Sequence, residues 1–329
     1  MKRIAAAILI STLSVSALVA PVAQGSTPLI CLAYDTGGPG DSSFNDAAQA
    51  GLKVAAKKLQ FSLETTVTSG DAKDRIDRLT ALVKKDCRIV IAVGTGYAAT
   101  LKELSQQYPE TQFAILNDAT VDALNVTSIV FANVQGAYLA GFAAAVASKS
   151  GKVAMVGYAS QKELFEKGFA PGAMAANKSI ITTIKYISSS ASTATTQLLR
   201  SGHDVIYLTT TGSATEVFGA IVASNNSNKK KNPSGIITVE PDQFLSVDAA
   251  SKRFVIATVV KRVDLALIDL LTKTLDGSSL YDEVDAALGV YGHRYGIADK
   301  SIEITLRLPA LIAKTTKVNS ASIAASKLN

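Results

Sequence analysis

Short runs of apolar residues alternate along the chain with segments whose apolar positions recur every three to four residues. Residues 29–34 form the first run, and from Phe44 onward small or apolar residues follow at helical spacing. Short apolar runs are typical of buried parallel strands, and the helical spacing predicts amphipathic helices. Further strands are predicted at 88–93, 112–116, 127–131, 152–156, 180–186, 204–208, 235–239, 254–259 and 284–290.

Helices are predicted between these strands, and Asp71 is a candidate cap for one of them. Other predicted helices span 135–148, 161–176, 192–201, 214–224 and 262–275. Strand-helix alternation predicts parallel sheets that are covered by helices on both faces. Because the alternation restarts near residue 135, we predict an α/β protein of two doubly wound parallel-sheet lobes joined by a hinge.

The division between the lobes is predicted from where the pattern restarts and from the length of the last stretch. That stretch, 254–290, is too short for a third domain, so we expect it to return the chain to the first lobe and then cross back. Lobe 1 is therefore predicted to comprise 26–132 plus 246–280, and lobe 2 to comprise 133–245 plus 281–329.

The N-terminus has the features of a secretory signal peptide. Lys2 and Arg3 precede an apolar run over 4–20, and small residues at 22–25 predict cleavage after Gly25. A transmembrane anchor is the alternative, but a span needs about 20 apolar residues. Ile30 before Cys31 does not fit a lipidation site. We therefore expect residues 1–25 to be removed and the chain to be exported, to the periplasm or the outer face of the cell membrane.

Charge and motif content argue against several classes of function. The formal net charge of +6 falls to +4 without Lys2 and Arg3, which is too small to indicate nucleic-acid binding. The two histidines, His203 and His293, are interpreted as ordinary surface residues. No nucleophile elbow, P-loop or paired-cysteine metal motif is present. We predict a binding protein with no catalytic residue, metal or cofactor.

Cys31 and Cys87 are the two cysteines of the chain. Each opens a predicted strand, and the first and third strands of a lobe with strand order 2-1-3 are neighbours. Export would place both thiols in an oxidising compartment. A disulfide is the favoured interpretation, with two buried free thiols as the alternative.

Ligands of doubly wound sheets bind beyond the carboxyl ends of the strands. Segments in that position are 35–45, 94–97, 117–118, 209–213, 240–243 and Lys261.

Several of these segments, together with others, resemble the basic membrane protein family. The resemblance is carried by Asp35 with 41–45 (DSSFN), 94–97 (GTGY), 113–118 (FAILND), 136–141 (GAYLAG), Gly168-Phe169, Asp242-Gln243 and 260–264 (VKRVD). These are solute-binding proteins of the type I periplasmic fold, and the best-understood members are purine-nucleoside receptors. The resemblance implies a nucleoside ligand, an ABC transporter permease as partner and a lobe-closing monomer.

Individual roles follow partly from position and partly from the resemblance. Phe44 is expected to stack on a base, with packing onto its own helix as the alternative. Asn45 would bond the base edge, and Lys261 would donate to ribose oxygens. By resemblance, Asp35 lies on the base side and Glu240 clasps the ribose hydroxyls. The other expected ligand-binding residues are Gly94, Tyr97, Asn117, Asp118, Gly212 and Tyr207, the last as a candidate second aromatic.

This sequence departs from the family pattern at two carboxylates. The family usually has aspartate where Asn117 and Glu240 stand. An amide both donates and accepts hydrogen bonds, so Asn117 leads us to expect that adenosine is tolerated at least as well as inosine or guanosine.

Other readings of the function remain open at this point. A sensory protein that signals to a membrane receptor would have the same cleft, and a sugar-binding protein could share the fold. A nucleosidase or other hydrolase on an α/β scaffold is a third alternative. The predicted signal peptide argues against a cytoplasmic repressor.

Overall fold

The structure is a computed structural model, and it describes residues 27–188, 190–209, 214–227, 232–239, 241, 243–277, 284–285 and 288–328. The predicted signal peptide lies outside the described residues. Among the helices that are described, none is long and apolar enough to cross a membrane.

Strands and helices alternate through most of the chain, as the hydrophobic pattern predicts. The strands are β1 (Leu29–Tyr34), β2 (Ser62–Val67), β3 (Ile89–Val93), β4 (Phe113–Leu116), β5 (Val126–Phe131), β6 (Lys152–Gly157), β7 (Ile181–Tyr186), β8 (Val205–Leu208), β9 (Gly235–Thr238), β10 (Val255–Lys261), β11 (Val284–Asp285), β12 (Val290–Tyr295) and β13 (Ile302–Leu306). The helices are α1 (Phe44–Ala55), α2 (Ala72–Val83), α3 (Ala98–Gln107), α4 (Asn133–Ala147), α5 (Ala170–Ala176), α6 (Ala191–Arg200), α7 (Ala214–Ser227), α8 (Gln243–Ser246), α9 (Ala249–Lys252), α10 (Val263–Asp276), α11 (Pro309–Ile312) and α12 (Thr315–Ala325). A π-helical segment, Leu164–Phe169, leads into α5.

Two sheets form the cores of the two lobes. The strand order is β11-β12-β5-β4-β3-β1-β2 in the first sheet and β13-β10-β9-β8-β6-β7 in the second. All described strand pairs are parallel except β10 with β13 and β11 with β12. The central strands are buried on both faces, as strands covered by helices must be. Two doubly wound lobes were therefore correctly predicted.

The chain crosses between the sheets at three places in the described residues: at Ala132, at Arg262 and over 296–301. These crossings bond to one another. Ala132 N donates to the carbonyl of Tyr295 at 2.8 Å, and Arg262 N donates to the carbonyl of Ser301 at 2.9 Å. Adjacent crossing segments of this kind can act as a hinge between lobes.

The last stretch is divided between the lobes differently from the prediction. β10 pairs with β9 in the second sheet, whereas β12 pairs with β5 in the first. α10 lies between them in sequence and packs against α1 of lobe 1. An apolar run gives no sign of which sheet it will join, so the boundaries predicted at 246, 280 and 281 are wrong, although the return to lobe 1 and the second crossing do occur.

Six of the described elements were not predicted from the sequence, and one predicted strand is part of a hairpin. The missed elements are β2, β13, α8, α9, α11 and α12, and 284–290 contributes β11 and only the first residue of β12. β2 lies at the sheet edge with exposed and half-buried side chains, so it has no apolar run.

The predicted disulfide is present. Cys31 and Cys87 are bonded, with a Cα–Cα distance of 5.8 Å and a sequence separation of 56. β1 lies between β2 and β3, which is the strand order that the pairing required.

Candidate functional site

The loops that follow β1, β3 and β4 surround a cavity of about 260 Å³ at the cleft side of lobe 1. It lies at the carboxyl edge of the first sheet, where ligands of this fold class bind. The lining residues are Asp35, Thr36, Asp41, Ser43, Phe44, Asn45, Val93, Gly94, Thr95 and Asn117. Five of the predicted ligand-binding residues, Asp35, Phe44, Asn45, Gly94 and Asn117, are thereby brought together from distant parts of the chain.

Asp35 is held in place by a cation that the sequence analysis did not identify. Its Oδ1 accepts hydrogen bonds from Nη2 of Arg75 and from the Thr36 backbone N–H, both at 2.9 Å. A Cβ on Gly94 would lie 3.0 Å from Oδ2, and Gly94 has φ +96°. Glycine is needed there both for the positive φ and for the close approach of the carboxylate.

Asn45 bonds to the backbone of its own loop. Its Oδ1 accepts from the Asp35 N–H at 3.0 Å, and its Nδ2 lies 3.3 Å from the carbonyl oxygens of both Asp35 and Thr36. The residue is 2% exposed. In this structure the amide therefore fixes the loop between β1 and α1, and that loop in turn positions Phe44.

Phe44 and Lys261 meet across the cleft. Phe44 is the first residue of α1, is half-buried, and packs in part against the hydrophobic core. Lys261, the last residue of β10, is 7% exposed, and its Nζ lies 5.7 Å from the centroid of the Phe44 ring. In the described part of the chain the ammonium forms no ion pair or hydrogen bond. The lysine side chain is thus largely withdrawn from solvent while its charge lacks a partner among the described residues, which favours a ligand as that partner.

Asn117 and Asp118 differ in where they point. Asn117 lines the cavity and has φ +66°, and its N–H donates to the carbonyl of Ile129 at 2.7 Å. Asp118 is 8% exposed, and its Oδ1 accepts from the N–H and Oγ1 of Thr120 at 2.7 and 2.6 Å. The Asp118 carboxylate thus accepts hydrogen bonds within a local turn. Of the two residues, only Asn117 lines this cavity.

Tyr97 is placed in the core and does not line the cavity. It is fully buried, and its hydroxyl donates to the carbonyl of Tyr34 at 2.8 Å. Burial, together with the nearby charge of Asp35, raises the pKa of Tyr97 to about 12. The phenol therefore stays protonated and acts as a structural hydrogen-bond donor.

On lobe 2, Tyr207 lies in a small cavity beside Lys261. The cavity has a volume of about 40 Å³. Tyr207 is 2% exposed and stacks on Phe169, with ring centroids 5.7 Å apart and an angle of 9° between the rings. Its ring is thus already covered on one face. Two further predicted ligand-binding residues of this lobe, Gly212 and Glu240, lie outside the described residues.

Gln161 is a site residue that the sequence analysis missed. Its Oε1 accepts from Oγ1 of Thr209 at 2.6 Å and from the Tyr158 N–H at 2.9 Å, and its Nε2 donates to the Thr209 carbonyl at 3.1 Å. It therefore ties the end of β6 to the end of β8. No sequence motif marked this residue, because its function depends on two strands that become neighbours only in the fold.

The two histidines lie in different lobes, and Nε2 of His293 lies 3.5 Å from Oδ1 of Asp299. His203 is 6% exposed, so its interpretation as a surface residue is wrong. Its Nδ1 lies 3.1 Å from the carbonyl oxygen of Leu198, and its Nε2 lies 2.9 Å from Oγ1 of Thr183. Within the part of the chain that the structure describes, no cluster of His, Cys, Asp and Glu is arranged to hold a metal ion.

The family profile that matches this chain and the name of a similar protein both point to substrate-binding proteins of ABC transporters. The profile of a family described as "ABC transporter substrate-binding protein PnrA-like" matches residues 31–327. The ABC transporter nucleoside-binding protein BmpA of Lactococcus lactis is 30% identical over 74% of this chain and 74% of its own length. The CD4+ T-cell-stimulating antigen of Listeria innocua is 31% identical over 75% of this chain and 74% of its own length.

Solved structures show the same arrangement of lobes. An ABC transporter solute-binding protein from Conexibacter woesei superposes with a TM-score of 0.66 at 18% identity, covering 92% of this chain and 98% of that one. A second, from Aeropyrum pernix, gives 0.61 at 20% identity, covering 90% and 85%. At these identities the likeness shows the fold alone, and it confirms the predicted two-lobed architecture.

Proposed function

The chain belongs to the PnrA-like family of ABC transporter substrate-binding proteins, and from this premise we propose that it captures a nucleoside between its lobes. The family relationship itself implies a small-molecule ligand and a transporter as partner. That the small molecule is a nucleoside is a more specific claim. It is supported by the name of the Lactococcus lactis relative and by the geometry of the cleft.

The observation that carries the proposal is the Phe44–Lys261 pair. An aromatic face from lobe 1 and the ammonium of Lys261 from lobe 2 lie together at the carboxyl ends of the two sheets, and this ammonium has no ion pair or hydrogen bond among the described residues. Stacking of a base on an aromatic ring contributes about 1–3 kcal/mol. The ammonium can donate to sugar oxygens on the same ligand. A nucleoside combines a flat base with a hydroxylated sugar, so it supplies both partners.

Asn117 is the residue proposed to read the base. Asn117 lines the cavity, whereas the Asp118 carboxylate accepts hydrogen bonds from Thr120. An amide can donate to a ring nitrogen of adenine and accept from its amino group. We therefore expect adenosine to bind at least as well as inosine or guanosine. Guanosine binding with adenosine tenfold or more weaker would assign base reading to another residue.

Binding without chemical conversion is part of the proposal, as is export. The family is one of substrate-binding proteins, and a disulfide such as Cys31–Cys87 persists in oxidising compartments. We propose that residues 1–25 direct export, that the mature chain works outside the cytoplasm, and that closure about the hinge delivers the ligand to an ABC importer.

A thermal-shift screen of the purified mature chain tests the proposal. Nucleosides, free bases and sugars are compared at equal concentration, and a ligand that binds only the folded state raises the melting temperature. The expected result is stabilisation by nucleosides, with none by sugars. Chromatography of the same mixtures after incubation should find the nucleoside intact, because release of free base would show hydrolysis.

A further inference from the structure

Asp35 lines the cavity beside Phe44, and only one of its two carboxylate oxygens is bonded within the described part of the chain. Oδ1 accepts hydrogen bonds from Nη2 of Arg75 and from the N–H of Thr36. Oδ2 accepts none from the described residues, and the side chain is 31% exposed, so a ligand can reach this oxygen. A carboxylate oxygen accepts and never donates, so Oδ2 is open to a donor group of a ligand.

Arg75 lies near the start of α2, and its side chain bonds two separate loops. Its Nη1 donates to the carbonyl of Gly70 at 2.6 Å, and its Nη2 forms the ion pair with Asp35 at 2.9 Å. The side chain is 15% exposed, and Nε is buried without a hydrogen bond. A largely buried ion pair is weak evidence of a stabilising role, because desolvation offsets the attraction. Another role for Arg75 is therefore favoured.

The segment 94–97 (GTGY) surrounds this ion pair. A Cβ on Gly94 would lie 3.0 Å from Oδ2 of Asp35, and a Cβ on Gly96 would lie 2.6 Å from Nη2 of Arg75. The guanidinium carbon lies 5.4 Å from the centroid of the Tyr97 ring, a cation–π contact. The two glycines thus leave room for the two charged groups, and Tyr97 supports the guanidinium. Tyr97 therefore contributes to the site from the core, without lining the cavity.

We propose that Arg75 is a positioning residue, which holds the carboxylate of Asp35 so that Oδ2 is the oxygen presented to the ligand. The terminal torsion of an aspartate is broad and roughly two-fold, so an unpaired carboxylate can exchange its two oxygens. Fixing the acceptor before the ligand arrives reduces the entropy that is lost on binding. The inference rests on the proposed function, because it takes the ligand to be a nucleoside that donates an N–H or O–H group to Asp35.

A double-mutant cycle of Arg75→Gln and Asp35→Ala tests the inference, by calorimetric titration with one nucleoside that binds the wild-type chain. Arg75→Gln alone should weaken binding about 10-fold, which is inside the range for residues coupled in one salt-bridge network. In the Asp35→Ala background the same substitution should change the affinity by less than about twofold, because no carboxylate is left to position. If Arg75 only supported the fold, it would cause the same loss in both backgrounds.

Gly96→Ala tests the same arrangement without replacing either charged residue. Gly96 has no positive φ that alanine would strain, and the added Cβ would meet only the end of the Arg75 side chain. The guanidinium must therefore move, and nucleoside binding should weaken as it does in Arg75→Gln. In the Arg75→Gln background, Gly96→Ala should have no further effect, because the group that it displaces is already gone.

Arg78, three residues further along α2, is the matched control. It forms an ion pair with Asp74 and donates to Oγ1 of Thr66, and it does not line the cavity that contains Asp35. Arg78→Gln removes an arginine from the same helix and should leave the nucleoside affinity unchanged.

The conservative variant Arg75→Lys should be intermediate. Lysine keeps the charge, but its single ammonium replaces a fork that bonds Gly70 and Asp35 at the same time. Its nucleoside affinity should lie between those of the wild-type chain and Arg75→Gln. Arg75→Lys and Gly96→Ala also decide the question if Arg75→Gln does not fold.

The outcomes separate this inference from the proposed function. Wild-type affinity in Arg75→Gln or Gly96→Ala overturns the inference alone, as does an equal loss from Arg75→Gln with and without the Asp35 carboxylate. An equal loss in Arg78→Gln overturns it too, because the effect would then belong to α2 as a whole. A wild-type chain that binds no nucleoside contradicts the proposed function, and the inference with it.

Discussion

The ammonium of Lys261 lies over the ring of Phe44, with Nζ 5.7 Å from the ring centroid. The pair joins the end of a strand in the second sheet to the start of a helix that packs on the first. Attraction between a cation and an aromatic face stabilises such a contact modestly. Because the ammonium has no other partner among the described residues, it can donate hydrogen bonds to ligand oxygens that enter the cleft.

Replacing Phe44 should reduce affinity and leave folding largely intact. Phe44→Ala removes one stacking face, and nucleoside binding should weaken by about 1–3 kcal/mol, measured by calorimetry. Phe61 is the control, since both rings are half-buried and pack on the same core, whereas only Phe44 lines the cavity. Phe61→Ala should lower the melting temperature and leave affinity unchanged. The opposite pattern would make Phe44 the packing residue.

Replacing Lys261 separates its role in binding from its effect on stability. Lys261→Met keeps an apolar stem and removes the charge. Nucleoside affinity should fall by about 1.5–3 kcal/mol, the range for hydrogen bonds to charged groups. The ligand-free melting temperature should stay about the same, because the ammonium forms no ion pair or hydrogen bond with the described residues and Met keeps the apolar stem packed. Lys57→Met, on the exposed face of lobe 1, controls for a general charge effect. Unchanged affinity with a lower melting temperature would contradict the assignment.

The sequence predicted the central strands best, because strands buried on both faces are continuously apolar. β3 and β4 were found within one residue of their bounds for this reason. β2 was missed because an edge strand with polar, exposed side chains has no such run. The allocation of β10 and β12 to sheets failed because strand pairing is a long-range property that a local pattern does not contain.

The sequence predicted a cavity residue correctly only where the position directly after a strand is enough to place that residue in the cavity. Asp35, Phe44 and Asn117 follow strands or open a helix and line one cavity, as expected. Tyr97 also follows a strand, but its side chain is buried in the core. Sequence spacing does not show whether a side chain in a loop points into the cavity or into the core. Arg75 and Gln161 carry no local signal, since each acts on a segment far away in the chain.

The disulfide should contribute substantially to stability. A bond that closes a loop with a sequence separation of 56 adds about 4 kcal/mol to the free energy of unfolding by the chain-entropy model. Denaturant unfolding with and without reductant should show this difference in the wild-type chain. A Cys31→Ala/Cys87→Ala variant should show none. Two titratable thiols in the unreduced, denatured protein would mean that the bond does not form.

Stability should depend on pH through His203. Burial, and to a lesser extent the charge of Lys152, lowers the pKa of His203 below its ordinary value of 6.5. The folded state then binds fewer protons than the unfolded state, so the free energy of unfolding should fall as the pH falls from 6.5 through the folded pKa. Below that pKa this contribution levels off.

Urea unfolding between pH 8 and pH 4 measures the effect. His203→Gln removes the titrating group and should flatten the part of the pH dependence that begins at 6.5. An unaltered pH profile in this variant would show that other groups cause the decline. His293→Gln, in β12 of lobe 1 rather than inside lobe 2, serves as the control for replacing a histidine.

The most direct test of nucleoside capture in the cleft is calorimetric titration of the purified mature chain with adenosine, inosine, guanosine and a free sugar. A ligand of this size buried by lobe closure is expected to bind with roughly −8 to −10 kcal/mol, which is micromolar to sub-micromolar affinity. We expect nucleosides to bind in this range with one site per chain, and adenosine to bind at least as tightly as the other two. Binding of the sugar, with no heat from any nucleoside, would contradict this expectation.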